Sequence, residues 1–192
     1  MKVIIDNGHG IETPGKRSPA GLRDFQLFEY EFNRSIAAGI MKALEAKGIP
    51  YAELVPEIED ITLPDRVERA NKIYNEHPGS FLVSIHANAG GGTGWEVFTY
   101  PGQSESDKVA QVFADKAEEH FPEFRMRFDR SDGDDDKEAK FYILRYTSGP
   151  AILTENFFMD TGKDLDFIAS TEGRQRIIKH HVESIEAYIA QR

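Results

Sequence analysis

His9, His86, Glu29 and Glu155 are residues whose side chains bind metals or move protons, and each stands where the sequence pattern puts the edge of a regular element. His9 follows Val3-Ile4-Ile5, a short β-branched run of the kind found in strands buried on both faces, and the turn-forming Asp6-Asn7-Gly8. Glycine on each side removes side-chain bulk and frees the backbone, so the imidazole can project from a sheet edge. The stretch Phe81-Leu82-Val83-Ser84-Ile85-His86-Ala87-Asn88 repeats the plan. Two buried strands that each end in histidine can bring both rings to one edge of one sheet, and the pair reads as a zinc site. Glu29 falls in the first turn of a long amphipathic helix, at the margin of its apolar stripe. The helix dipole favours a carboxylate there, burial without a partner is costly, and a cation would remove that cost. Two histidines and one carboxylate leave a fourth position open, as a hydrolytic zinc centre requires. Glu155 leaves the apolar run Ala151-Ile152-Leu153-Thr154 into aromatic surroundings. Such a carboxyl is a candidate for a raised pKa, fit to take a proton from metal-activated water and pass one to a leaving amine.

The elements that must position these residues follow from periodicity. Phe28, Phe32, Ile36, Ile40 and Leu44 recur every fourth residue and predict a helix from about Gln26 to Ala46, stopped at Lys47-Gly48. Tyr51 to Val55 reads as a strand, and Thr62-Leu63-Pro64-Asp65 as the capped start of a helix ending near Glu76. Trp95 to Tyr100 reads as a strand and Glu105 to His120 as a helix. Phe141 to Leu144 and Ala151 to Thr154 read as two further strands. A last helix from Glu172 to Ala190 turns Ile178, Val182, Ile185 and Ile189 inward. Strands alternating with helices predict one α/β domain over residues 1–192, a three-layer sandwich whose mixed sheet of about six strands is flanked by helices.

Composition narrows the functional classes. The 192 residues are 40% hydrophobic and 29% charged, ordinary for a globular domain with a proper core. No apolar run is long enough to span a membrane. The chain has no cysteine, so any metal is held by His, Asp or Glu. A net charge of −10 argues against nucleic acid and acidic membrane surfaces as partners. No secretory leader precedes the first strand, which fits a mature form, a truncated form or another route of export.

Each feature has a plainer reading. A first-turn glutamate such as Glu29 can serve only the helix dipole, and Glu31 is the rival carboxylate, turned away by helical geometry and expected to be exposed. His77, His120, His180 and His181 lie near helix ends or on the last helix and are not expected to act in catalysis. Gly90 to Gly94 precedes a strand, so it reads as a mobile rim of the cleft rather than a phosphate cradle. Asp132-Gly133-Asp134-Asp135-Asp136 tempts a calcium-loop reading, but Lys137 occupies the glycine position and Ile143 the terminal glutamate position. A solvated loop bordering the substrate groove is the expectation.

Taken together, Asp6-Asn7-Gly8-His9-Gly10, Glu29-Tyr30-Glu31-Phe32-Asn33 and Ser84-Ile85-His86-Ala87-Asn88 resemble the zinc-dependent N-acetylmuramoyl-L-alanine amidases of the amidase-3 family. Leu63-Pro64-Asp65-Arg66 with Arg69-Ala70-Asn71, and Pro150 through Phe158, resemble two further segments of that family in the same order. The sequence departs from the pattern at Asn7, where the family has proline, and at Ile11-Glu12-Thr13-Pro14, where it is glycine-rich. The resemblance implies a phosphorylase/hydrolase-like sandwich, one zinc ion per chain on His9, Glu29 and His86, and Glu155 as acid and base. It implies cleavage of the amide between N-acetylmuramic acid and L-alanine in peptidoglycan or muropeptides, by a monomer acting in the cell envelope or outside the cell. The rival expectations are another zinc peptidoglycan hydrolase, such as a stem-peptide carboxypeptidase, and an inactive wall-binding domain.

Overall fold

A computed structural model describes all residues from Met1 to Arg192. The elements in chain order are β1 (Val3–Asn7), α1 (Glu29–Ala46), β2 (Tyr51–Glu53), α2 (Leu63–Glu76), β3 (Phe81–Asn88) and β4 (Trp95–Thr99). There follow α3 (Glu105–His120), β5 (Lys137–Glu138), α4 (Tyr142–Tyr146), β6 (Ala151–Phe158), α5 (Gly162–Ala169) and α6 (Thr171–Ala190). The six strands form one sheet in the order β2-β1-β3-β6-β4-β5. Strands β2, β1, β3 and β6 run parallel, while β4 lies antiparallel to β6. This is the mixed six-stranded α/β sandwich expected from the alternation of elements.

Successive side chains on a strand point to opposite faces, and the core divides accordingly. Val3 and Ile5 of β1, with Phe81, Val83 and Ile85 of β3, pack under α1, α3, α5 and α6. Ile4 and Leu82 point the other way, with Leu153 of β6, toward α2 and α4. His86 shares the parity of Leu82, and Glu155 that of Leu153. Both therefore emerge on the thinner face, in the carboxyl-terminal halves of the parallel strands. The chain passes from β1 to β2 on one side of it and then from β2 across to β3 on the other, and clefts of open α/β sheets form at such a reversal.

Three elements differ from the sequence reading. Phe141 to Leu144 lies at the start of helix α4, not in a strand. A strand would send the adjacent Ile143 and Leu144 to opposite faces, whereas one helical turn buries both against the α2 cluster of Val67, Ala70 and Tyr74. Thr147 Oγ1 closes that turn by donating to Ile143 O at 2.8 Å. The sixth strand is instead β5, two residues of the acidic segment paired with Phe98 and Thr99. Finally, β6 continues through Glu155 to Phe158, so Glu155 stands inside the strand.

Helix α6 buries more than its apolar residues. Ile177, Val182, Ile185 and Tyr188 face the core, with Ile178 and Ile189 only partly buried. His180 and His181 are fully buried on the sheet-facing side of α6, where His180 Nε2 meets Phe113 O at 2.9 Å and His181 Nε2 meets Thr154 Oγ1 at 3.1 Å. Burial lowers His181 to about 4, so the ring is neutral at pH 7. These are satisfied core histidines, as expected of residues without a catalytic role.

Candidate active site

Residues Gly8 to Gly10 leave the end of β1 and are held from three sides. Asn33 Nδ2 of α1 donates to Gly8 O at 3.0 Å, Arg34 Nη1 to His9 O at 3.2 Å, and Arg66 Nη2 of α2 to the same oxygen at 3.3 Å. These bonds fix His9 in the left-handed region, at φ 66°, where histidine is tolerated better than most side chains. Arg66 is itself buried, donating to Asp6 Oδ1 at 2.7 Å and Asn7 O at 3.0 Å. Asp6 in turn accepts from Ser84 Oγ at 2.6 Å, and Ser84 Oγ lies 3.2 Å from His86 Nε2. One buried network thus positions both histidines. Arg66, Asp6 and Ser84 have no signature in sequence beyond their place in the quoted segments, because their partners lie about sixty to eighty residues away.

Glu29 opens α1 and is 1% exposed. Its Oε1 is 3.2 Å from His9 Nε2 and 3.1 Å from His86 Nδ1. The two imidazoles meet edge to face with centroids 4.8 Å apart. His9, Glu29 and His86 therefore converge, each able to offer one atom within 4.8 Å of the others. Glu31 is exposed and pairs only with Tyr30. Burial would raise the Glu29 pKa, but the adjoining imidazoles, His86 first and then His9, outweigh it and hold the carboxylate well below its usual range. Burial lowers His9. It opposes His86 as well, where Glu29 more than compensates and the net shift is upward.

Two atoms test whether this group suits a cation. Glu29 Oε2 and His9 Nε2 are buried without a hydrogen-bond partner, an arrangement costly for a protein unless something else is bound there. The donor separations of 3.1 and 3.2 Å are close to the edge of a tetrahedron with zinc–nitrogen bonds, about 3.3 Å. Nitrogen and carboxylate donors of this kind fit zinc. Lys16 is the neighbour that sequence reading missed: its Nζ lies 3.6 Å from Glu29 Oε2. It sits in an irregular loop that returns by pairing Lys16 O with Glu29 N at 3.0 Å, a placement no periodicity encodes.

Glu155 stands opposite His86 in the β3–β6 register. Burial pushes its carboxyl up to about 8, against the pull of His86. Its Oε2 is buried and unpartnered. On the other side Glu155 pairs in register with Glu96 of β4, a buried carboxylate neutralised by Arg127 and Lys137. Just beyond, the β3–β6 register shifts and Phe157 takes φ 69°. Asn156 anchors the irregularity, donating to His86 O at 3.0 Å and accepting from Trp95 Nε1 at 3.2 Å.

His9, His86 and Glu155 all face one cavity of about 500 Å³, walled also by Lys16, Leu63, Arg66, Phe141 and Leu153. Neither Gly90–Gly94 nor the acidic segment borders it. Gly90 N and Gly91 N are tied to Asp160 Oδ2 at 2.7 and 2.8 Å, so the glycine loop is pinned to the start of the β6–α5 connection. The expected cleft rim is instead formed by the loop before α2 and by α4.

The sequence profile of N-acetylmuramoyl-L-alanine amidases (Amidase_3) matches residues 3–187. This chain belongs to that family. The amidase is 30% identical over 185 residues to the N-acetylmuramoyl-L-alanine amidase CwlM of Bacillus licheniformis, covering 96% of this chain and 67% of the relative. It is also 30% identical over 186 residues to the sporulation-specific N-acetylmuramoyl-L-alanine amidase of Bacillus subtilis, covering 97% and 67%. Among solved structures, an N-acetylmuramoyl-L-alanine amidase of Clostridium difficile superposes with a TM-score of 0.83 at 27% identity, covering 98% of this chain and 96% of that one. The amidase thus matches over nearly its whole length, and its His9-Glu29-His86 group lies inside the matched region.

Gly8 makes the closest approach in the site. A Cβ added there would lie 2.1 Å from His86 Cε1 and 2.4 Å from His86 Nε2. The backbone of Gly8 is not left-handed, so alanine is conformationally allowed and only the steric effect remains. Gly8→Ala is expected to displace the His86 ring and lower amidase activity by about 10²-fold with the far-ultraviolet circular dichroism unchanged. Undiminished activity would contradict the placement of His86.

Proposed function

We propose that this amidase hydrolyses the amide joining the lactyl group of N-acetylmuramic acid to L-alanine, using one zinc ion held by His9, Glu29 and His86, with Glu155 as general base and acid. The observation that carries this reading is the convergence of three donor residues, two with buried unpartnered atoms, where His9 and His86 share one cavity with the Glu155 carboxyl. When bound, zinc supplies Lewis-acid polarisation of the scissile carbonyl and lowers the pKa of water.

The chain's own groups do the rest. Glu155 takes a proton from the attacking water, whose oxygen bonds to the amide carbon, and later delivers a proton to the departing L-alanine nitrogen as the C–N bond breaks. The products are a lactyl carboxylic acid and a stem peptide with a free amino terminus. The buried environment that keeps the Glu155 carboxyl able to hold a proton near neutrality suits the second step. Arg127 and Lys137 grip the Glu96 carboxylate beside it, so that negative charge does not stand unpaired next to Glu155. No helix is long and apolar enough to cross a membrane. A cell-wall location is proposed from the substrate, and a monomer from a site whose donors and acid–base carboxyl all come from one chain.

Digestion of purified peptidoglycan followed by mass analysis tests the bond assignment. The expected product is a stem peptide with a new L-alanine amino terminus. Loss of a terminal amino acid would indicate a carboxypeptidase, and no release at all a binding domain; either contradicts the proposal.

A further inference from the structure

We propose that Asp107, Asp134 and Asp136 form a second cation site, separate from the histidine group, and that it takes calcium. The three come from different segments: Asp107 from the first turn of α3, Asp134 and Asp136 from the loop that leads into β5. Each offers a carboxylate oxygen within 4.8 Å of the others. Asp136 is 2% exposed and Asp107 8% exposed, with Asp134 half-buried. Asp136 Oδ2 accepts from Thr99 Oγ1 at 2.6 Å, Asp134 Oδ2 from Gln103 Nε2 at 2.9 Å, and Asp107 Oδ2 from Ser104 N. Of the three remaining oxygens, Asp136 Oδ1 and Asp134 Oδ1 are buried with no partner.

No lysine or arginine forms an ion pair with any of the three carboxylates. The nearby bases are engaged elsewhere: Lys108 with Glu105, Arg130 with Asp135, and Lys137 with Glu96. Converging carboxylates held out of water, with oxygens left unpaired, call for a cation. All the donors are oxygen, which selects a hard ion over zinc. Calcium accepts irregular sets of six to eight oxygens and can complete its shell with water from the exposed side of the loop, whereas magnesium demands a near-ideal octahedron. The arrangement is not the contiguous calcium loop that the sequence rules out, because one ligand lies about thirty residues before the others on a helix. It also explains why Asp136 is buried rather than solvated. A bound ion would tie the loop to α3, and that loop delivers Lys137 to Glu96, beside Glu155.

Calorimetric titration of the zinc-loaded full chain with calcium chloride, together with thermal unfolding, tests the site. The expected result is one calcium per chain and a rise in Tm of about 5 °C or more at a hundred-fold excess over Kd. Asp134→Asn and Asp136→Asn should each abolish both signals and leave calcium-free amidase activity in place. Asp134 is only half-buried, so its variant decides the matter where Asp136→Asn fails to fold. No heat and no Tm shift at about 10 mM calcium, above the range of weak extracellular calcium modules, would overturn the site. So would signals that survive Asp134→Asn. An equal response to magnesium would overturn the choice of calcium.

Discussion

Glu155→Gln is expected to lower kcat by about 10³-fold while the chain keeps its zinc and its fold. Loss of a positioned acid–base group costs about 10²- to 10⁴-fold, and here one carboxyl serves both proton transfers. Glutamine preserves volume and polarity inside β6, where neighbouring Thr154 and Asn156 are fully buried, so little structural change accompanies the loss of the proton carrier. The measurement is steady-state hydrolysis of a muropeptide alongside metal analysis of the same sample. A variant that retains most of its kcat would remove Glu155 from the reaction, and one that loses zinc would make it a ligand instead.

The second large effect is expected at Glu29. Partners that merely orient a metal-bound histidine cost about 10- to 100-fold in affinity when removed. Glu29 touches both histidines and also carries the negative charge, so Glu29→Gln should weaken zinc binding by more than about 10²-fold and abolish activity at equimolar metal. Chelation of the unaltered chain should have the same effect on activity, reversed by zinc. Equilibrium dialysis against a zinc buffer measures the first and a rescue assay the second. Activity persisting in a verified metal-free sample would contradict the assignment.

Much of this site was legible in the sequence because its chemistry is attached to element boundaries. A buried strand followed by Gly-His-Gly leaves few roles for His9, and the same plan at His86 brings the second ring to a neighbouring strand. The sequence alone does not separate a metal-binding role for Glu29 from a helix-dipole one; the packing does, leaving it 1% exposed between two imidazoles. What the sequence hid was long-range. Lys16 reaches Glu29 through an irregular loop, and Asp6, Arg66 and Ser84 join through contacts across about sixty to eighty residues. The α4 segment misled because Phe-Tyr-Ile-Leu has strand propensity, and its helical state is set by the need to bury Ile143 and Leu144 together. Asp136 misled similarly: an acidic run reads as solvated, and its burial depends on Thr99 and Asp107 from elsewhere in the chain.

The most direct measurement is anomalous diffraction at the zinc edge from crystals of the zinc-loaded chain. The account predicts one strong peak within about 2.0 to 2.2 Å of His9 Nε2, a Glu29 carboxylate oxygen and His86 Nδ1, on the same cavity wall as the Glu155 carboxyl. A zinc peak elsewhere on the chain, or one touching fewer than these three side chains, would contradict it.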